Sequence, residues 1–182
     1  EAFNQDNRRL GVSVNGISDD LSSNWRFGYW NQILTQNDGG YIGDDYQGEI
    51  AGRFAKTYWY DESSGGRGWA HMAISGSVGD PGTGADPTTA GAHYRTRPEA
   101  RSTSRWLNTG SIVDADANYL IGLESAYNIG QLNVTSEYQR VGVDRGDSGA
   151  PDVTFSGYYS QVSYFLTGEH RVWNRKMGTL GR

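Results

Sequence analysis

The stretch Thr154–Lys176, TFSGYYSQVSYFLTGEHRVWNRK, constrains the fold more than any other part of the chain. Read in steps of two, Tyr158, Val162, Tyr164 and Leu166 fall on one side, and Gly157, Tyr159, Gln161, Ser163 and Thr167 on the other. A period of two predicts a strand with one apolar and one polar face. Strands in globular proteins usually stop after about five or six residues. Here the alternation predicts a strand from Val153 to about Gly168, with tyrosines near both ends of its apolar row. That pattern suits a strand crossing a lipid bilayer with water behind it.

The same alternation recurs along the chain. Leu10, Val12 and Val14 share a side, as do Trp25, Phe27 and Tyr29. Ile50, Phe54 and Tyr58 oppose Glu49, Arg53 and Thr57, and Ala70, Met72, Ile74 and Val78 oppose His71, Ser75 and Ser77. Tyr119, Ile121, Leu123 and Tyr127 oppose Asn118, Gly122 and Glu124. Leu132, Val134 and Tyr138 oppose Asn133, Thr135, Glu137 and Gln139. SDDLSSN, DESSGGRG and Asn128–Gly130 carry the residue types of turns, and Gly79–Gly91 those of a long loop. With 26 glycines, 12 tyrosines, 6 tryptophans and 4 prolines, the composition agrees with an all-β chain. The expectation is one unit spanning 1–182, with about eight strands and no amphipathic helix. There is no cysteine, so disulfides and thiolate metal sites are excluded.

Two architectures accommodate this alternation. A soluble β-sandwich or small barrel buries the apolar row and wets the polar one. A transmembrane antiparallel β-barrel has the same rows with the faces exchanged. Strand length, aromatics near the ends of the apolar rows, and ionisable groups beside glycines in the polar rows favour the membrane version. Glu124 and Glu137 fall mid-strand in polar rows, where a wet lumen holds them cheaply and a soluble core does not.

Charge is distributed unevenly. Arginine outnumbers lysine 14 to 2, and between His93 and Trp106 four arginines face one glutamate, a local +3 in a chain of net −5. Arg95, Arg97, Arg101 and Arg105 are the candidate anion-binding residues at a pore constriction, and Arg26, Arg53, Glu124 and Glu137 the lumen-facing candidates. A ring of cations at a constriction passes anions or phosphate, and the guanidinium fork donates to oxyanions in pairs. Pro98 interrupts any strand ladder here, as it does where chain folds inward from a wall. The plainer alternative is a solvated charged loop.

An enzymatic reading competes with the channel. Gly146-Asp147-Ser148-Gly149 resembles the nucleophile loop of trypsin-like serine proteases, and His71, Asp114 and Ser148 occur in the order of that triad. However, His71 alternates within a strand, Asp114 lies in a turn, and a short Asp/Ser/Gly turn explains the match. A soluble binding module remains a third class. The three histidines lack metal-ligand spacing, so neither metal nor cofactor is expected.

Several stretches together resemble the phosphate-selective porins O and P of bacterial outer membranes. They are Arg9-Leu10-Gly11-Val12, Trp59-Tyr60-Asp61 with Gly65-Gly66-Arg67-Gly68, Arg97-Pro98-Glu99, Thr109-Gly110-Ser111-Ile112 and Gly122-Leu123-Glu124. The strongest are Gly157-Tyr158-Tyr159 and Tyr164-Phe165-Leu166-Thr167-Gly168-Glu169 with Arg171. The resemblance implies a sixteen-stranded, homotrimeric, non-enzymatic pore with basic residues at an inward constriction. Its partners are small anions or other solutes and outer-membrane lipid, not nucleic acid. Arg97 matches through Arg-Pro-Glu, and the other arginines by proximity. Lysine is limited to Lys56 and Lys176, which points to broad anion passage more than to phosphate preference. The ending Leu180-Gly181-Arg182 lacks a terminal aromatic, so an interior portion of a barrel, incomplete at both ends, is expected. The TGEHR end is expected to carry identity and no selectivity.

Overall fold

The computed structural model describes residues 10–31, 48–81, 92–96, 104–146 and 149–181. Seven strands form one antiparallel sheet in chain order. They are β1 (Gly11–Ile17), β2 (Ser23–Asn31), β3 (Gly48–Tyr60), β4 (Gly68–Gly79), β7 (Ala117–Ile129), β8 (Leu132–Asp144) and β9 (Val153–Tyr164). The two-residue strands β5 (Arg95–Thr96) and β6 (Leu107–Asn108) pair between β4 and β7. A second small hairpin, β10 (Trp173–Asn174) and β11 (Thr179–Leu180), follows β9. Among the described residues β1 and β9 are the edges of the sheet, which is not closed.

The short connections follow from local chemistry. Between β1 and β2, the Asp20 carboxylate accepts from Ser18 Oγ at 2.6 Å and the Ser22 amide at 3.0 Å. These bonds hold its pKa down to about 2. Between β3 and β4, Asp61 accepts from Ser63 Oγ at 2.6 Å, and Gly65 and Gly66 supply positive φ. Only Gly130 and Gln131 separate β7 from β8, with Gly130 at φ 54°.

Register then fixes the two faces. One row across the sheet reads Trp25, Phe54, Ile74, Leu123, Tyr138, Tyr158, and another Val12, Tyr29, Ile50, Val78, Tyr119. The opposite face carries Arg26, Arg53, Ser75, Gly122, Gln139, Gly157 in one row and Thr57, His71, Ala126, Thr135, Gln161 in the next. The apolar face is the open one: Ile50 is 64 % exposed, Val78 59 %, Ile74 52 % and Leu123 47 %. No second sheet covers it among the described residues. Four of the eight buried apolar residues described are alanines, and the large buried groups lie on the polar face. This distribution contradicts a soluble sandwich, because water would face a continuous apolar surface. It is the arrangement of a transmembrane β-barrel wall, apolar toward lipid and polar toward a lumen.

Two details shape the apolar side. A register shift between Thr57 and Trp59 brings both Tyr58 and Trp59 outward, and Trp59 stacks on Tyr127 at 6.1 Å. Lys56 sits 5.5 Å from the Tyr58 ring, so aromatics and a cation gather at one end of the wall. Nearer the other end, the Tyr119 ring occupies the space where a side chain at Gly142 would begin.

The alternation predicts the seven long strands closely, with one difference. β9 stops at Tyr164, and the chain turns through Gly168, at φ 97°, onto the polar face.

Candidate functional site

Two segments fold over the polar face, one toward each end of the strands. The first is the excursion between β4 and β7. Ala92 pairs with Ile112, and Ala92 and Ala115 pack with Val141 and Val143 in a dry cluster that Tyr94, Ile112 and Leu120 complete. Tyr94 meets the Phe155 ring at 5.7 Å and hydrogen-bonds Asn118. Val141, Val143, Leu120 and Phe155 all belong to the polar face, so the base of the excursion is fastened there. Alternation puts Arg95 on the side of the β5–β6 hairpin opposite Tyr94, cross-strand from Asn108, whose side chain holds His93 Nε2 at 2.6 Å.

Arg95 and Arg105 are both half-buried within this excursion. Arg97 and Arg101 lie outside the described residues.

The second segment runs from Phe165 to Gly181 and straps the face near the short turns. Trp173 is 5 % exposed, stacks on Trp69 at 4.7 Å and meets the His71 ring at 4.4 Å in a tilted contact. Its indole Nε1 donates to Thr57 Oγ1 at 2.9 Å, and Trp69 Nε1 donates to the Arg171 carbonyl at 2.8 Å. Arg67 donates to the Gly168 carbonyl at 2.9 Å. Arg175 pairs with Glu62, donates to the Asp20 carbonyl and lies 4.8 Å from the Tyr60 ring. The strap therefore ties two short turns to the wall. Arg171 and Lys176 remain exposed on it, and His170 half-buried.

Under the strap lies a charged node. Arg53 grips Glu124 with two hydrogen bonds, Nε to Oε1 at 2.9 Å and Nη2 to Oε2 at 2.7 Å. Its Nη2 also donates to the Gly178 carbonyl at 2.9 Å. His71 Nε2 lies 3.5 Å from Arg53 Nη2 and 3.8 Å from Glu124 Oε2, while its buried Nδ1 has no hydrogen-bond partner.

All four lumen candidates lie on the polar face: Arg26 cross-strand from Arg53, and Glu124 cross-strand from Glu137. The structure joins Arg53 to Glu124, which neutralises that pair, and joins Glu137 to Tyr159. Arg26 is exposed. Sequence reasoning missed Trp69, Trp173 and Arg175. The available signal was a tryptophan standing in an otherwise polar tail.

The protease constellation does not assemble. His71 faces Arg53 and Glu124 instead of Asp114, and Ser148 lies outside the described residues. Among the described residues no group of three or more His, Asp or Glu is placed to hold a metal ion.

An exposed apolar face, a polar face and two inward segments are the parts of a pore wall. Residues 52–180 match the family model of the phosphate-selective porins O and P. The chain belongs to that family. A search among individually curated proteins finds no match. The family's members are bacterial outer-membrane proteins, and its activity is that of a channel rather than an enzyme. This porin's short turns join β1 to β2, β3 to β4 and β7 to β8, while the longer connections lie at the opposite ends of the strands. In bacterial barrels the short turns are periplasmic and the long loops extracellular. The strap thus sits toward the periplasm and the arginine excursion toward the outside.

Proposed function

We propose that this porin is a passive diffusion channel in which arginines assist small anions through the lumen. The observation that carries the reading is the excursion's attachment: Tyr94 and Ala92 fix its base to the polar face, with Arg95 on the opposite side of the hairpin. A guanidinium there meets solutes in a lumen whose low-dielectric walls focus its field. Arg105, Arg97 and Arg101 extend the same cationic stretch. On the wall, Arg26 adds positive charge, Arg53 is spent on Glu124, and Glu137 adds a negative charge. Such a mixed lining supports a broad anion preference, phosphate included, more than a phosphate-only filter. The strap narrows the periplasmic mouth.

β1 and β9, which have no outer neighbour strand among the described residues, support a wall completed by further strands around the 1–182 unit, in contact with outer-membrane lipid. A homotrimer follows the family resemblance.

The test is the reversal potential of the full-length porin in a planar bilayer under a KCl gradient. The wild-type pore is expected to favour chloride, and Arg95→Glu with Arg105→Glu to abolish or invert the preference. A potential unmoved by both substitutions refutes the arginine role. The Arg97→Glu variant tests the family-matched position in the same way.

A further inference from the structure

We infer that Arg140, on the lipid side of the wall, anchors a site for a phosphorylated lipid of the outer leaflet. The site rests on the assignment of the two faces and on the outer-membrane location, not on the anion-channel reading.

Register puts Arg140 among the lipid-facing residues. Its row across the sheet reads Phe27, Gly52, Gly76, Ile121, Arg140, Ser156, beside the row of Phe54, Ile74 and Leu123. β8 has a paired strand on each side, so the exposure of Arg140 is not that of a sheet edge. In the seven long strands described, Lys56, Arg140 and Asp144 are the charged residues on this face. Lys56 lies against Tyr58 near the short turns, and Asp144 accepts from the Gly146 amide at 2.9 Å at the far end of β8. Among the described residues Arg140 forms no hydrogen bond and no ion pair. An unpaired guanidinium facing hydrocarbon is costly, and an acceptor supplied by the membrane relieves that cost.

Depth names the acceptor. β8 runs from the short β7–β8 turn toward the outer ends of the strands, and Arg140 stands two residues beyond its central Tyr138. Two residues of a strand tilted by about 40° rise about 5 Å, and the apolar band of such barrels is about 25 Å tall. The remaining gap of about 7 Å is the reach of an extended arginine, whose stem stays in hydrocarbon while its head leaves it. Tyr119 marks the same boundary: its ring lies over Gly142, the next position outward on this face of β8. At that level the outer leaflet presents lipid phosphates, and the guanidinium fork donates to phosphate oxygens in pairs. The exposed hydroxyls of Ser156, cross-strand from Arg140, and Thr154, on the diagonal, add donors. The sheet itself separates this site from solutes in the lumen.

Full-length porin in detergent would be titrated with diphosphoryl lipid A and, separately, with the same lipid stripped of its phosphates, and binding read by native mass spectrometry. The wild type is expected to hold the phosphorylated lipid about tenfold more tightly than the stripped one. Arg140→Gln should remove that advantage, Arg140→Lys should keep part of it, and Ser156→Ala should weaken it about two- to threefold. Arg140→Leu, whose side chain suits hydrocarbon, should fold and bind as Arg140→Gln does. Equal affinity of the wild type for the two lipids overturns the inference, as does an advantage undiminished in Arg140→Gln and Arg140→Leu. Displacement of bound lipid A by an equal concentration of inorganic phosphate assigns the arginine to free anions and overturns it too. Loss of an oligomer in Arg140→Gln, with lipid binding per protomer unchanged, places the guanidinium between copies of the chain and has the same force. In planar bilayers the chloride preference should be the same in wild type and Arg140→Gln. A shifted reversal potential puts Arg140 in the lumen and defeats the lipid site, whereas a wild type without preference defeats only the channel reading.

Discussion

Tyr138 and Gln139 are adjacent in β8, and the structure puts them in opposite solvents. Tyr138 is the central residue of the 13-residue strand Leu132–Asp144, flanked on the apolar face by Leu123 and Tyr158. Gln139 is flanked on the polar face by Gly122 and Gly157. A strand of this length, tilted by about 40°, rises roughly 30 Å, so its centre lies near the bilayer midplane. An arginine facing lipid at that depth costs about 2–4 kcal/mol. At ~1.4 kcal/mol per decade, Tyr138→Arg should shift the folding equilibrium by roughly 30- to 700-fold. Gln139→Arg faces water across two glycines and should cost under ~1 kcal/mol. Reversible urea unfolding of full-length porin in phospholipid vesicles measures both. Were the apolar face in water, Tyr138→Arg would be nearly neutral. Equal effects of the two substitutions, or a larger effect at Gln139, refute the assignment of faces.

Three further outcomes follow from named contacts. Arg53→Leu should destabilise by about 1–2 kcal/mol, discounted because the pair is partly exposed, by stranding Glu124 and the Gly178 carbonyl. Adding Glu124→Leu should recover much of the loss, and purely additive effects in that double-mutant cycle exclude the coupling. Trp173→Ala removes the anchor of the strap, at about 3–5 kcal/mol for a buried tryptophan. Single-channel conductance should rise and protease should cut at Arg171 or Lys176, whereas unchanged conductance rules out a narrowing strap. Asp20 has its pKa depressed in the folded turn, so its bonds favour that turn above the ordinary value of 3.8 and are lost as pH falls through about 2. The Ser22 amide resonance should titrate near 2, and a midpoint at 3.8 shows that the turn bonds are absent in solution.

The wall was legible because its signal is local. Each strand carries its own two-residue period, and the lipid-facing rows Ile50, Phe54, Tyr58 and Tyr119, Ile121, Leu123 appear without knowledge of any partner strand. What escaped was non-local. Trp173 finds Thr57 across 116 positions, and Arg53 finds Glu124 across 71. Neither pairing leaves a periodic trace. The alternation through Ser163 and Thr167 continues past Tyr164 in sequence and predicts a strand to about Gly168, but β9 ends at Tyr164 and Gly168, at positive φ, lets the backbone turn inward. The bulge at Thr57–Trp59 was hidden for a related reason: one extra residue in β3 shows only when β4 is laid beside it. The arginine cluster was plain as charge, yet its fastening through Tyr94 and Phe155 depends on residues 61 positions apart.

The open edges of the sheet have a thermodynamic consequence. β9 alone is 12 residues long, and about half of its backbone groups point away from β8. In hydrocarbon each unpaired amide or carbonyl costs several kcal/mol, so one bare edge costs on the order of tens. No partly assembled wall can wait in the bilayer at equilibrium. Insertion and the pairing of such an edge are therefore coupled, and the stability of each stave depends on the neighbour that covers its edge as well as on its own sequence.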